Sequence, residues 1–84
     1  MKRLTVSTPD GPVLPDERKA EAAVRLARLE DMVQALTEEQ EAIHDQLAQL
    51  RTQGKDRTVR FRELMARKLT LVSLRTELER YGMW

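Results

Sequence analysis

The chain has 84 residues and a formal net charge of +1, with 35% charged residues, 4% aromatic residues and no cysteine. A chain of this length forms one domain at most and buries a small core, so chains of this size often depend on oligomerisation for stability. The missing cysteines exclude disulfides and Cys-type zinc sites and fit a reducing compartment.

Residues 1–15 predict a short extended N-terminal arm. Leu4 to Val6 has strand-like alternation, Pro9 to Gly11 is a turn signal, and Val13 suits a short return strand. Because an isolated two-stranded hairpin is marginal in water, the arm is either disordered or a small ribbon that packs on the helices or on a second chain. The arm lacks a continuous apolar core for secretion and no later stretch could span a membrane, so we expect a soluble cytoplasmic protein.

Residues 16–52 predict one long helix, which Pro15 and Asp16 begin. Apolar residues recur in alternating steps of four and three, which is the pattern of a coiled-coil seam. The seam positions are Ala22, Leu26, Leu29, Val33, Leu36, Gln40, Ile43, Leu47 and Leu50. A capping-box pattern from Thr37 to Gln40 suggests a break, but the seam continues through it without a slip and favours a single helix.

Residues 53–56 predict a tight turn at Gly54, followed by a second helix over residues 57–81 that ends before Gly82. A connection this short makes the two helices antiparallel, as in a helical hairpin. The apolar residues of the second helix cover more than half of its circumference, which is wider than one partner helix needs. The second helix therefore requires at least two neighbours.

The predicted fold class is all-α: an antiparallel helical hairpin over residues 16–84 that assembles into a four-helix bundle. The first helix is longer than the second, so a second copy would cover both the overhang and the extra apolar face. We therefore expect a homodimer or a tetramer. The residues predicted to mediate self-association are Leu26, Leu29, Val33, Leu36, Gln40, Ile43, Leu47, Phe61, Leu64, Leu71, Val72 and Leu78. Gln40 either fixes the register across the assembly or lies near solvent in a loose layer.

Charge is unevenly distributed along the chain. Residues 16–49 contain nine acidic and four basic residues, whereas residues 51–68 contain seven basic and two acidic residues. We expect the basic run to pair with the acids of the first helix, within the chain or in a neighbouring copy, and Glu63 with Arg67 is a favourable i, i+4 pair. The alternative is contact with nucleic acid or another anion at the hairpin tip. That contact would use Lys55, Arg57, Arg60, Arg62 and Arg67.

No pattern in the sequence supports catalysis. Glu41 and His44 have the Glu-x-x-His spacing of di-metal bundles, but His44 is the only histidine and a complete metal site needs several matched ligands. There is no nucleophile with a matched base and no glycine-rich phosphate loop, so we expect no enzyme activity, no cofactor and no metal. Trp84 is expected to pack over a helix end, or to anchor a partner if it is exposed with Tyr81 and Met83.

The predicted function is that of a non-catalytic, self-associating coiled-coil adaptor or assembly module that binds a protein partner. The alternative is a small nucleic-acid-binding regulator that uses the arginine-rich tip. The two hypotheses differ in the role of the tip: pairing between copies requires acids of this chain, whereas nucleic-acid binding requires salt-sensitive contact with phosphates.

Overall fold

The computed structural model describes residues 1–84 and is mostly helical, with a short two-stranded sheet at the N-terminus. The elements are β1 (Val6–Thr8), β2 (Gly11–Val13), a 3-10 turn (Asp16–Arg18), α1 (Lys19–Thr52) and α2 (Val59–Arg80). The chain forms two compact units, Met1–Met32 and Val33–Trp84. Neither helix contains a stretch that is long and apolar enough to cross a membrane.

In the first unit, β1 and β2 form an antiparallel ribbon in which Val6 lies opposite Val13 and Thr8 lies opposite Gly11. Gly11 has φ of 114°, a backbone conformation that glycine adopts without a Cβ clash. The Thr8 hydroxyl donates a 2.6 Å hydrogen bond to the Gly11 carbonyl. The first strand begins at Val6 and not at Leu4, and the Leu4 side chain is buried, with 5% exposure.

Two arginines of the first unit hold the segment that precedes the ribbon. Arg18 Nη1 donates to the Leu4 carbonyl at 3.3 Å, and Arg25 Nη1 donates to the Lys2 carbonyl at 2.8 Å. Arg18 lies in the 3-10 turn and Arg25 lies on α1, and both side chains bind the backbone of the N-terminal segment. Of the two alternatives for the arm, the structure has the ordered ribbon.

In the second unit, α2 packs against the C-terminal part of α1. The core consists of Ile43, Leu47, Leu64 and Leu71, with partly buried neighbours Leu36, Leu50, Phe61 and Met65. Side-chain bonds join Gln46 to Arg60 and Glu39 to Arg67. Glu39 precedes Gln46 by seven residues on α1, whereas its partner Arg67 follows Arg60 by seven residues on α2. The two helices therefore run antiparallel. This arrangement is consistent with a helical hairpin.

The connection between the helices is longer than predicted. The amides of Gly54 and Lys55 donate to the carbonyls of Arg51 and Leu50, which is a Schellman motif with Gly54 at φ of 70°. The Thr58 hydroxyl accepts a 3.2 Å bond from the Phe61 amide and caps α2. Because Thr58 is the cap, α2 begins at Val59 and the connection covers residues 53–58.

The other helix ends also differ slightly from the prediction. Residues Asp16–Arg18 form a 3-10 turn before α1 begins at Lys19, and α2 ends at Arg80 with Tyr81 as its cap. The amides of Gly82 and Met83 donate to the carbonyls of Glu79 and Leu78, which is a Schellman motif at the predicted glycine.

Helix α1 continues through Thr37. The Thr37 hydroxyl donates to the Val33 carbonyl at 2.8 Å, the back-bond of a threonine inside a helix, and α1 is continuous from Lys19 to Thr52.

Candidate interaction surface

The residues predicted for self-association occupy three environments within the chain. Buried positions are Ile43, Leu47, Leu64 and Leu71; half-buried positions are Leu29, Val33, Leu36, Gln40, Phe61 and Leu78; exposed positions are Leu26 and Val72. The buried residues form the core of the second unit. Leu26 is 52% exposed and Val72 is 46% exposed, so part of each side chain remains available to another molecule.

The largest apolar exposure in the second unit lies on α2. Met65, Leu69 and Val72 follow one another in steps of four and three, so they form one stripe along the helix, which we call the α2 stripe. Leu69 is 63% exposed and Val72 is 46% exposed, whereas Met65 is partly buried against the core. On a different side of α2, Leu74 is 42% exposed. Helix α2 therefore has the second apolar face that its sequence predicts, and α1 does not cover it.

Gln40 occupies the α1 seam and is half-buried. It lines an open surface groove together with Thr37, Glu41, His44, Asp45 and Arg75. Its side chain makes no hydrogen bond within the chain, whereas Thr37 beside it bonds its own helix backbone. Gln40 therefore keeps its amide free for solvent or for a second molecule.

The Glu-x-x-His pair lies in the same groove. Glu41 and His44 are both exposed side chains of α1. No group of three or more histidine, cysteine, aspartate or glutamate side chains is placed where it could hold a metal ion. The pair is therefore part of a polar surface.

The strongest ion pair in the basic run joins Arg67 to Glu39. Arg67 Nε lies 3.0 Å from both carboxylate oxygens of Glu39, and Nη2 lies 2.8 Å from Oε1. These hydrogen bonds lower the pKa of the Glu39 carboxyl and raise the pKa of the Arg67 guanidinium, because each charged form is stabilised by the other. The predicted ion pair between Glu63 and Arg67 is wrong. The Arg67 guanidinium binds Glu39 of α1 instead, where it contacts both carboxylate oxygens.

The other predicted anion contacts divide into two groups. Arg60 Nη2 donates to Gln46 Oε1 at 3.2 Å, so Arg60 is engaged within the hairpin. Lys55, Arg57 and Arg62 are exposed and form no ion pair in the chain. We call these three residues the basic set. Beside them, the Arg51 guanidinium lies 5.3 Å from the centroid of the Phe61 ring, which is a cation–π distance.

Acidic side chains of α1 are also left without a cationic partner. Glu38, Glu41 and Asp45 are exposed, form no ion pair and follow one another in steps of three and four, so they lie on one side of the helix. We call them the acidic set. Glu38 accepts only a 3.4 Å bond from the Gln34 amide. Intrachain pairing therefore neutralises Glu39 and leaves the rest of this acidic stretch unpaired.

The C-terminus carries the only tryptophan. Trp84 is half-buried, and the Arg75 guanidinium lies 5.0 Å from the centroid of its ring system. Arg75 Nε also bonds Glu79 Oε1 at 2.7 Å, which fixes the guanidinium above the ring. Tyr81 and Met83 are exposed, so the aromatic end of α2 is only partly covered by the chain itself.

Sequence reasoning missed the roles of three residues. Arg18 and Arg25 bind carbonyl groups of the N-terminal segment, and Arg75 covers Trp84. Nothing in the sequence identifies backbone carbonyls as the partners of Arg18 and Arg25. Arg75 lies four residues after Leu71, and no pattern in the sequence indicates its contact with Trp84.

No protein-family model matches the chain, and neither a curated protein nor a solved structure gives a significant match.

Proposed function

We propose that this chain is a non-catalytic, self-associating coiled-coil module that acts as an adaptor or assembly element and binds a protein partner. The observation that carries this proposal is the uncovered α2 stripe, in which Leu69 and Val72 are 63% and 46% exposed. Contiguous exposed apolar surface on a helix marks an interaction site. The partner of this stripe is a second copy of the hairpin, and the product is a four-helix bundle.

The surface area of the chain supports the same proposal. The chain exposes 6756 Å², against about 5,200 Å² expected for a monomeric protein of 9.8 kDa. Removing the surplus of about 1,600 Å² from each of two chains would bury about 3,200 Å² in total, which lies in the range of permanent homodimers. Only five side chains are buried, which is a small core for a chain of this length.

Sedimentation equilibrium near micromolar concentration tests this proposal, at low and at high salt. We expect a mass of two or four chains for the wild type and a mass of one chain for Leu69→Asp with Val72→Asp. The control is Thr70→Asp with Gln53→Asp, which adds the same charge at exposed positions outside the stripe. A single-chain mass for the wild type contradicts the proposal, as does an unchanged mass for the stripe variant.

A second candidate function is binding of nucleic acid at the hairpin tip. The observation in its favour is that Lys55, Arg57 and Arg62 are exposed without an acidic partner. Such a contact would be salt-sensitive and largely independent of base sequence. Replacing Arg57, Arg60 and Arg62 by Gln should abolish binding to duplex or single strands without changing the mass of the assembly. Absence of binding by the wild type at low salt would exclude this function.

A further inference from the structure

We infer that the surface around Arg18 and Arg25 is a docking site for an extended peptide with a leucine, which residues 1–5 of the chain itself occupy and a protein partner takes over. We call residues 1–5 the N-terminal segment. The inference rests on the proposed function in that it gives the protein partner a site. This site lies in the first unit, whereas the α2 stripe lies in the second. Partner binding and self-association therefore use different surfaces.

The contacts of the N-terminal segment show what the site binds. The Leu4 side chain is buried, with 5% exposure, whereas the other four side chains of the segment are exposed. Arg18 donates to the Leu4 carbonyl at 3.3 Å, and Arg25 donates to the Lys2 carbonyl at 2.8 Å. Carbonyls two residues apart face the same side of an extended chain. The site thus selects one leucine side chain and the backbone before it, and it leaves the neighbouring side chains free to vary.

The N-terminal segment has few contacts that keep it in the site. Residues 1–5 belong to no strand or helix and form no backbone–backbone hydrogen bond. One buried leucine and two hydrogen bonds from arginine side chains therefore fix the segment. A segment with so few buried contacts opens locally, without unfolding of the helices. Opening leaves both arginine side chains without their carbonyl acceptors and uncovers the apolar surface that Leu4 fills.

Attachment to the chain makes the N-terminal segment a strong competitor for its own site. A tethered segment has an effective concentration in the millimolar range, so a free peptide with the same contacts binds only the fraction of chains whose site is open. A partner that displaces the segment needs further contacts. Val6 and Val13 lie opposite each other on the adjacent ribbon and are 44% and 47% exposed, so they offer apolar surface directly beyond the segment.

A synthetic peptide of residues 1–5, Met-Lys-Arg-Leu-Thr with an amidated C-terminus, tests the site on the full chain. Leu4→Ser removes the leucine that fills the site, so we expect NMR titration to give an apparent Kd about tenfold lower for this variant than for the wild type. Met32→Ser is the matched control, since it removes a 42% exposed apolar side chain about two helical turns beyond Arg25. Equal Kd values for the two variants, or no binding to either, overturn the inference.

The arginine donors are tested in the Leu4→Ser variant. Adding Arg18→Met and Arg25→Met should abolish peptide binding, because methionine keeps the length of the side chain without its donors. Adding Arg28→Met should leave binding unchanged, since Arg28 is exposed and forms no ion pair in the chain. Helicity by circular dichroism shows that each variant is folded. Binding that persists without the two arginines overturns the site.

The wild type gives a second measurement that depends on no variant. Excess peptide should displace the N-terminal segment, so the Leu4 methyl resonances should move from their buried positions towards those of an unfolded chain. Unmoved resonances at peptide concentrations well above millimolar would show that the segment is a fixed part of the first unit, and would overturn the inference. The sedimentation mass of the wild type does not depend on this titration, so the peptide site and self-association can fail separately.

Discussion

At the residue scale, the contact between Glu39 and Arg67 links the stability of the hairpin to pH. The pKa of Glu39 is lowered in the folded chain, mainly by its hydrogen bonds with Arg67. The ionised pair therefore stabilises the fold above the ordinary glutamate pKa of about 4.3, and this contribution is lost as pH falls through the lower folded-state pKa. Glu39→Gln should lower the free energy of unfolding at pH 7, and the difference from the wild type should shrink towards pH 3.

Chemical denaturation at both pH values measures this effect. Glu63→Gln is the matched control, because Glu63 is exposed and forms no ion pair although it lies at i, i+4 from Arg67. We expect a much smaller change for the control at pH 7. Equal changes for the two variants would show that Arg67 does not prefer Glu39 in solution.

Leu71 makes a separate prediction about the core. Its side chain is 1% exposed and packs in the cluster with Ile43, Leu47 and Leu64. Leu71→Ala should lower the free energy of unfolding by about 2 to 5 kcal/mol, because it leaves a cavity that the neighbouring helix cannot close. Leu69→Ala, at a position that is 63% exposed, should change it by about 0.5 kcal/mol or less when both variants unfold at single-chain concentrations. Similar costs would place Leu69 in the core of the single chain.

Individual contacts show where sequence reasoning succeeds and where it fails. The heptad spacing identifies Leu47 as a seam residue, and the structure buries it to 1% exposure. The partner of Arg67 was not predictable, because Glu63 satisfies the local i, i+4 rule and only the register of α2 on α1 brings Glu39 within reach. A spacing rule describes neighbours on one helix, whereas the choice between partners depends on the packing of two.

At the element scale, Gly54 ends α1 and directs the chain towards α2. Its φ of 70° is a left-handed conformation in which a side chain with a Cβ is strained. Gly54→Ala should lower the free energy of unfolding by about 1 to 2 kcal/mol, since the connection must keep this conformation for the helices to pack. Gly82→Ala has nearly the same φ, 72°, but follows the last helix, so the end can fray and the expected cost is smaller. Thermal unfolding of both variants makes the comparison, and equal costs would contradict the role of the connection.

The elements also separate local signals from tertiary ones. The glycines at both helix ends predict where α1 and α2 stop, because left-handed caps are a local property of the backbone. The N-terminal arm is different: Arg18 and Arg25 hold it through carbonyls of Leu4 and Lys2, which are contacts over 14 and 23 residues. Its sequence therefore left a disordered tail and an ordered ribbon both open.

For the whole molecule, the wide apolar surface of α2 was predictable from the sequence, but the molecule that covers it was not. Helical periodicity gives the angular spread of Leu69, Val72 and Leu74, and the structure shows that α1 leaves all three exposed. The surface that packs on that side of α2 depends on a second chain. A single sequence gives only the charge and the apolar area that such a chain must match.

Self-association makes the thermal stability of the whole molecule depend on concentration. Because the dimer is populated only when the chain is folded, mass action raises the Tm as the protein concentration increases. We expect the Tm of the wild type to rise over a hundredfold concentration range, and the Tm of Leu69→Asp with Val72→Asp to stay constant. High salt should reduce the rise without removing it, since salt screens the exposed basic and acidic sets but leaves the apolar contact in place. Circular dichroism measures each Tm; a wild-type Tm independent of concentration would mean that the hairpin folds as a single chain and that its apolar stripe awaits a different partner.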